Sequence, residues 1–438
     1  MRYLNSYNNL GLSIVLSIMF FNASPALCEK WHIFDRDSGL TNTIILCITE
    51  TSDGRLWAGT SGGLFSFDGS VWQEVAIDGR TGLLITNLVP SSDGALWVEI
   101  GTTQRYGTSF LDRGAHTLAR LYQGKWQWVP FDYEDKTHAI IDIAESASGD
   151  IWITYDTSNS NFIERNEGGI AVFRKDSLEF IDTQSTPGIK GQNFLGIIPR
   201  RDGGIWIYAK KAGFPQLNAL PEKHVTRGVE DWLLSFDGLA WSNTDLSTVA
   251  PWSTESLAVF SSYAIITGGF EVENGVFLFE SYRSPLVPLL DGVIYHDANR
   301  GEWSSWLNWL SPELYTTLDE NPQPLFSGTN TPTILSDYAY IGPGEHWFST
   351  NKYVAHVTGV DTIRYTIDDG LAGELCDRLL AASDNSIWVM HTEQGALSRY
   401  RNGVWDAYDA TNGLKGAALT TIYETTDGSI VVGSADGL

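Results

Sequence analysis

Short runs of alternating apolar and polar residues recur along this chain, separated by Asp-Gly and Gly-Gly pairs. Period-two alternation between such turn signals predicts short antiparallel strands joined by tight hairpins. The clearest unit is residues 52–72, SDGRLWAGTSGGLFSFDGSVW. It predicts a strand over 55–60, a turn at 61–63, a strand over 64–67, an Asp68-Gly69 hairpin turn and an outer strand over 71–75. A nearly continuous apolar stretch precedes each unit, as at 44–49 and 140–144. Such a stretch fits an innermost strand buried on both faces.

The unit repeats. Its turn-plus-tryptophan signature returns as DGALW from Asp93, SGDIW from Ser148, DGGIW from Asp202, PGEHW from Pro343, DNSIW from Asp384 and DGSIV from Asp427. Trp57 and Trp97 are 40 residues apart, and Trp347 and Trp388 are 41 apart. Four short strands per period of ~40 residues is the sequence sign of a β-propeller, whose sheets must stack because none can bury both faces alone. The expected fold is therefore all-β, a propeller of seven or eight four-stranded blades. Unit starts near residues 44, 85, 139, 195, 257, 334, 375 and 419 favour eight. Trp57, Trp97, Trp152, Trp206, Trp347 and Trp388 are expected to fill the space between blades. Residues 303–333, rich in Pro, Asn and Thr, read as a long insertion. Near residue 438 the text SADGL matches the SGGL of the first unit. The last blade is thus expected to be incomplete, with residues 31–34 offering it an outer strand, and the chain to be the front part of a longer protein.

Composition narrows the class. The 438 residues include 17 Trp, 18 Tyr, 19 Phe and 43 Gly, as many short strands with tight turns require. A formal charge of −25 argues against nucleic acid, whose phosphates it would repel. Residues 1–28 read as a secretory signal: Arg2, an apolar run over 10–21 and a small-residue region over 23–26. That run is too short to span a bilayer as a helix. Leu27 is a poor residue to precede a lipidated Cys28. The propeller is then expected over 29–438, periplasmic or secreted, with no transmembrane helix beyond the signal segment. Cys47 and Cys376 fall in non-neighbouring units and read as core residues, not as a disulfide.

The D-G-x-[IL]-W…G-T…G-G-L…F-D-G pattern, with the leading W-x-x-F…G-L of residues 31–40, resembles the two-component-regulator propeller repeat. That family supplies the periplasmic sensor half of bacterial hybrid sensor kinases. The resemblance implies an extracytoplasmic sensor with signalling domains downstream, and says nothing of what is sensed.

No catalytic constellation emerges. The G-x-S-x-G match at residues 59–63 is a repeat turn, without the strand-to-helix elbow that would lift a nucleophile. The eight histidines lack the spacing of a zinc site, and no metal or cofactor is expected. Binding is better supported, because three consecutive units expand the same connection, at 99–118, 155–169 and 209–230. Loops on a rigid scaffold are where binding residues concentrate. Residues 209–230 carry Lys210, Lys211, Lys223 and Arg227 against Glu222 and Glu230, so 4 − 2 gives +2. Arg105, Tyr106, Arg113, Arg165, Lys210, Lys211 and Arg227 are the candidate ligand contacts, suited to an oligosaccharide or anionic small molecule. Two alternatives stand beside the sensor: a secreted lactonase- or lyase-like propeller enzyme with a metal at its axis, and a protein-interaction platform.

Overall fold

In the computed structural model, the described residues are 31–42, 44–101, 117–130, 138–157, 168–191, 193–210, 231–245, 264–273, 276–283, 292–297, 302–305, 335–342, 345–358, 361–414, 418–435 and 437–438. The signal segment expected over 1–28 lies outside them. Strands dominate, and each sheet is an antiparallel meander in chain order. The described residues form seven four-stranded sheets and one two-stranded sheet. Their inner strands are Ile45–Glu50, Leu84–Pro90, His138–Glu145, Asn193–Pro199, Ala264–Glu273, Leu335–Gly342, Arg378–Ala381 and Leu419–Glu424. These match the unit starts except at the fifth, where the strand begins at Ala264 and not near 257. The expected insertion also shifts. Trp303 belongs to the outer strand Glu302–Ser305 of the fifth sheet, because His296 opposite it continues the ladder. Only the remainder, 306–333, falls outside the described residues.

The second strands carry the repeated tryptophans. Trp57, Trp97, Trp152, Trp206, Trp347 and Trp388 are all at most 7% exposed. Each is covered by a cation or ring. The Arg120 guanidinium lies 5.7 Å from the Trp97 ring and bonds Asp93 of its own turn and Asp176, each at 2.6 Å. Arg399 repeats this over Trp388 with Asp384. His356 replaces it in the sixth sheet, stacked 3.9 Å from Trp347.

The inner strands of consecutive sheets pack side by side from the first to the fifth and from the sixth to the eighth, and the eighth lies against the first. Two devices set this spacing. One is a carboxylate clasp at the end of an inner strand. Glu145 accepts the N–H and hydroxyl of Ser92 in the preceding sheet, Glu424 does the same with Ser383, and Glu50 with Thr426. The last pair joins residues 376 apart in sequence.

The other device is a β-bulge. The inner strands of the first to sixth and the eighth sheets shift register at the same place, which frees a backbone N–H. Asn87, Asp142 and Asp337 each cap the following N–H of their own strand, at 2.8–2.9 Å. The fourth and seventh sheets carry Gly196 and Arg378 at that position, which offer no oxygen. There the second carboxylate oxygen of the preceding sheet's aspartate reaches across. Asp142 accepts from Ile197 N–H at 2.7 Å, and Asp337 from Leu379 N–H at 2.8 Å. Aspartate thus stands where two N–H groups need capping, and asparagine where one does.

The link into a sheet is also a repeated object. Asp35, Thr366 and Asp409 each open a capping-box 3-10 turn that ends on a left-handed glycine, followed by a buried leucine: Leu40, Leu371 or Leu414. Gly39 has φ +99°, and any Cβ there would strike the carbonyl of Trp72. Phe34, which precedes the first of these turns, exchanges backbone hydrogen bonds with Leu438 at 2.8 and 3.0 Å. Its ring also packs on Phe67 and Trp72.

Candidate functional site

In such a meander the connection from second to third strand and the link between sheets emerge on one face, and the Asp-Gly turns on the other. The residue that ends the second strand governs what the first face carries. Thr60 donates its hydroxyl to Gly63 O at 2.8 Å and accepts from Gly62 N–H, which closes a tight turn. Thr350 donates to Tyr353 O and Ser434 to Gly437 O in the same way. The G-x-S-x-G match falls on this turn, where Ser61 merely donates to Asn42.

In the second, third and fourth sheets that position holds Ile100, Tyr155 and Ala209. Ile100 and Ala209 have no side-chain oxygen, and Tyr155 has a phenol in place of the short hydroxyl, with its ring buried against Phe180. Here the connection grows, to 102–116, 158–167 and 211–230. The ranges expected from sequence ran two or three residues into the flanking strands at most ends, since Gly101, Thr157 and Lys210 still pair in the sheets. Lys210 ends the strand Ile205–Lys210, with its backbone between Asn193 and Asp231. Arg105, Tyr106, Arg113, Arg165, Lys211 and Arg227 lie outside the described residues. What the structure does place is the strand ends Gly101, Thr157 and Lys210, from which the three connections leave, at the same corner of neighbouring sheets.

The second-strand terminus was not singled out from sequence. Its signal was available as the third residue after each repeated tryptophan, which is Thr60, Ile100, Tyr155, Ala209, Thr350 or His391. In the seventh sheet that place belongs to His391, fully buried and bonded to Leu375 O and the Ser398 hydroxyl. Burial lowers its pKa, and the Leu375 carbonyl and the Asp377 charge raise it less. Burial also lifts the thiols of Cys47 and Cys376 to about 12, and both are free. Among the described residues no three His, Cys, Asp or Glu side chains form a metal-binding group. No helix among them is long and apolar enough to cross a membrane.

Comparison with known proteins follows this geometry. Residues 39–62 match the two component regulator propeller family. The matched segment runs from the left-handed Gly39 through the buried Leu40, the Glu50 clasp, the Asp53-Gly54 turn and Trp57 to the Thr60 cap, so each part of it has a role in the sheet. No curated protein matches the sequence. Among solved structures, a streptogramin B lyase is 14% identical, with 92% of this chain and 95% of that chain covered and a TM-score of 0.42. Two extracellular domains assigned to hybrid two component systems of B. thetaiotaomicron are each 13% identical, with a TM-score of 0.30. Both cover 92% of this chain, against 54% of one and 70% of the other.

Proposed function

We propose that this chain is the extracytoplasmic sensory propeller of a bacterial two-component signalling system. Its ligand is a small molecule of oligosaccharide or anionic character, bound on the face that carries 102–116, 158–167 and 211–230. One observation carries the reading: three neighbouring sheets lack the Thr or Ser that closes the tight turn at Thr60, Thr350 and Ser434, and all three have a long connection at that place. The three expansions fall on consecutive sheets, at the same corner of each. The cations expected there, Arg105, Arg113, Arg165, Lys210, Lys211 and Arg227, suit carboxylate or hydroxyl groups, and Tyr106 offers a flat apolar face. Against a net charge of −25 they would draw an anion to one rim.

The ring consists of eight blades. Support comes from the Glu50–Thr426 clasp, which joins the eighth sheet to the first as Glu145–Ser92 joins the third to the second. It comes also from Phe34, which bonds Leu438 as Tyr365 and Tyr408, the last residues of their outer strands, pair with Val354 and Leu397 of the third. Ligand binding would bias the attached signalling domains only through a difference in affinity between two states of the receptor.

A thermal-shift screen of charged and neutral oligosaccharides tests the reading, followed by Arg105→Glu and Lys210→Glu. A ligand whose affinity and salt dependence are unchanged in both variants places the site elsewhere.

A further inference from the structure

The link 371–377 runs over the seventh sheet, on the face that carries the second-to-third connections, and a single imidazole pins it there. His391 stands where the first, sixth and eighth sheets carry Thr60, Thr350 and Ser434, and its ring has no solvent exposure. The Nδ1–H donates to Leu375 O at 2.7 Å. At 2.8 Å from Nε2 lies the Ser398 hydroxyl, which donates to the ring while accepting Ala372 N–H. Any Cβ on Gly373 would sit 3.1 Å from the ring. The link also reaches the preceding sheet, where Cys376 N–H donates to Thr350 O, and Thr392, next to His391, accepts Leu419 N–H from the eighth.

Burial favours the neutral ring, and the hydrogen bonds select its tautomer. The Leu375 carbonyl requires Nδ1 to carry the proton, which in the neutral ring leaves Nε2 bare to accept from the Ser398 hydroxyl. Protonating Nε2 turns it from acceptor to donor, so the Ser398 hydroxyl must turn its own hydrogen away and accept instead, and a charge is left inside the core. The groups facing the ring do little to offset that charge. From the link come Asp377, whose carboxylate is engaged by Thr392 N–H at 2.7 Å, and Cys376, whose thiol stays neutral with its pKa near 12. The third strand of the sheet presents Ser398, and Glu374 is exposed.

We propose that His391 is an acid-released latch: the neutral imidazole holds the 371–377 link against the seventh sheet, and protonation frees it. The latch stands by itself; its consequence for ligand binding rests on the sensory reading. Burial lowers the histidine below its ordinary 6.5, so the folded form binds the proton less readily than the open form. The closed state is therefore fully favoured above about pH 6.5 and loses ground as the pH falls from there toward the folded pKa.

Hydrogen exchange with mass spectrometry, corrected for the intrinsic pH dependence of exchange, reads this directly. Amides of 372–377 should gain exposure by up to about tenfold per pH unit below 6.5, the limit for one proton. Other links, such as that at Asp35–Leu40, should not. His391→Thr restores the residue type of the first and sixth sheets and should abolish the excess. Exchange of the imidazole C2 hydrogen in the unaltered chain gives the His391 titration without any substitution, and its midpoint should fall below 6.5 and coincide with release of the link. The same release in His391→Thr, or a ring that titrates at its ordinary value, overturns the latch. If the variant fails to fold, the C2 titration and the link exposure of the unaltered chain decide alone.

Discussion

The two faces of this molecule are made from the same repeat, yet they obey different rules. On the face of the Asp-Gly turns the connections hardly vary. Thr51, Ser91, Ser146, Ala382 and Thr425 each open the same turn, with a carbonyl that accepts the N–H three residues on. Asp53, Asp93, Asp384 and Asp427 cap it and have lowered pKa values; for Asp53 and Asp427 a side-chain hydrogen bond from threonine is the first cause, whereas for Asp93 and Asp384 burial opposes and several hydrogen bonds together prevail. On the opposite face the same meander carries anything from the two-residue turn at Ser61-Gly62 to the twenty residues of 211–230. The difference is one of constraint. The turn face carries the clasps that fix three of the sheets to their neighbours, so a change there moves a neighbour. On the other face the second, third and fourth sheets, which lack a Thr or Ser at that place, carry long connections, whereas the seventh, with His391 there, keeps a short one.

The largest effect should come from what both faces share. Trp97→Ala removes a side chain that is 1% exposed, packed on Phe173 at 4.7 Å and covered by Arg120. It should cost about 3–5 kcal/mol in denaturant unfolding. A loss below about 1 kcal/mol would mean the tryptophans do not set the sheet spacing.

Next are the inter-sheet caps, where the two residue types should not be interchangeable. Asp142→Asn keeps one acceptor for Ile143 N–H but turns an amide donor toward Ile197 N–H. The stranded donor should cost about 1–3 kcal/mol near neutral pH. Asn87→Asp adds an oxygen where Asp142 already caps the next strand, so it gains no bond and introduces a buried charge. Equal behaviour of the two substitutions would break the rule that aspartate marks a following strand without its own cap. Burial pushes Asp142 and Asp337 above the usual carboxylate range, whereas the turn-face aspartates fall below it. The turn aspartates therefore contribute stability above about pH 3.9 that is lost as the pH falls through their lower folded values. Asp142 and Asp337 have the opposite slope.

Much of this fold was legible in the sequence, and the reasons are local. Asp-Gly pairs fix turns, alternation fixes strands, and a tryptophan every ~40 residues fixes the period. The fifth inner strand was misplaced because residues 257–263 lack a turn signal to bound it, and the insertion was started a few residues early, at about Trp303, because no turn signal marks the end of that outer strand. The caps were invisible for another reason. Asp142 bonds Ile197, 55 residues away, and no single-strand pattern reports a partner in the next sheet. Of the site, sequence gave the position of the expanded connections and the charge they carry. It could not say which of Arg105, Arg113 or Arg227 converge, because that depends on how long loops fold against one another.

Closure supplies a smaller effect. Glu50→Ala and Glu145→Ala remove the same clasp, one where the eighth sheet meets the first and one inside the continuous chain. Each exposed carboxylate holds a backbone N–H and a hydroxyl, worth on the order of 1 kcal/mol. At Glu145 the two sheets remain joined by the chain, whereas at Glu50 they meet only through contacts. Glu50→Ala should therefore raise backbone exchange at Phe34 and across Ile430–Ser434, and Glu145→Ala should leave its own sheets protected. Similar exchange in both variants would show that the meeting point is no weaker than any other junction.

The smallest effect on stability should come from the face proposed to bind. Arg105→Glu and Lys210→Glu alter residues at or beyond the ends of the second strands, on the face opposite the clasps. Surface changes of this kind stay within about 0.5 kcal/mol, so both variants should melt with the unaltered chain. Their ligand affinity is another matter. Reversing a cation near a bound anion loses an attraction and adds a repulsion, and the loss should shrink as salt screens both. A variant that melts normally, binds weakly at low salt and recovers at high salt would separate recognition from folding on that face. One that loses stability in step with affinity would mean the expanded connections are part of the scaffold after all.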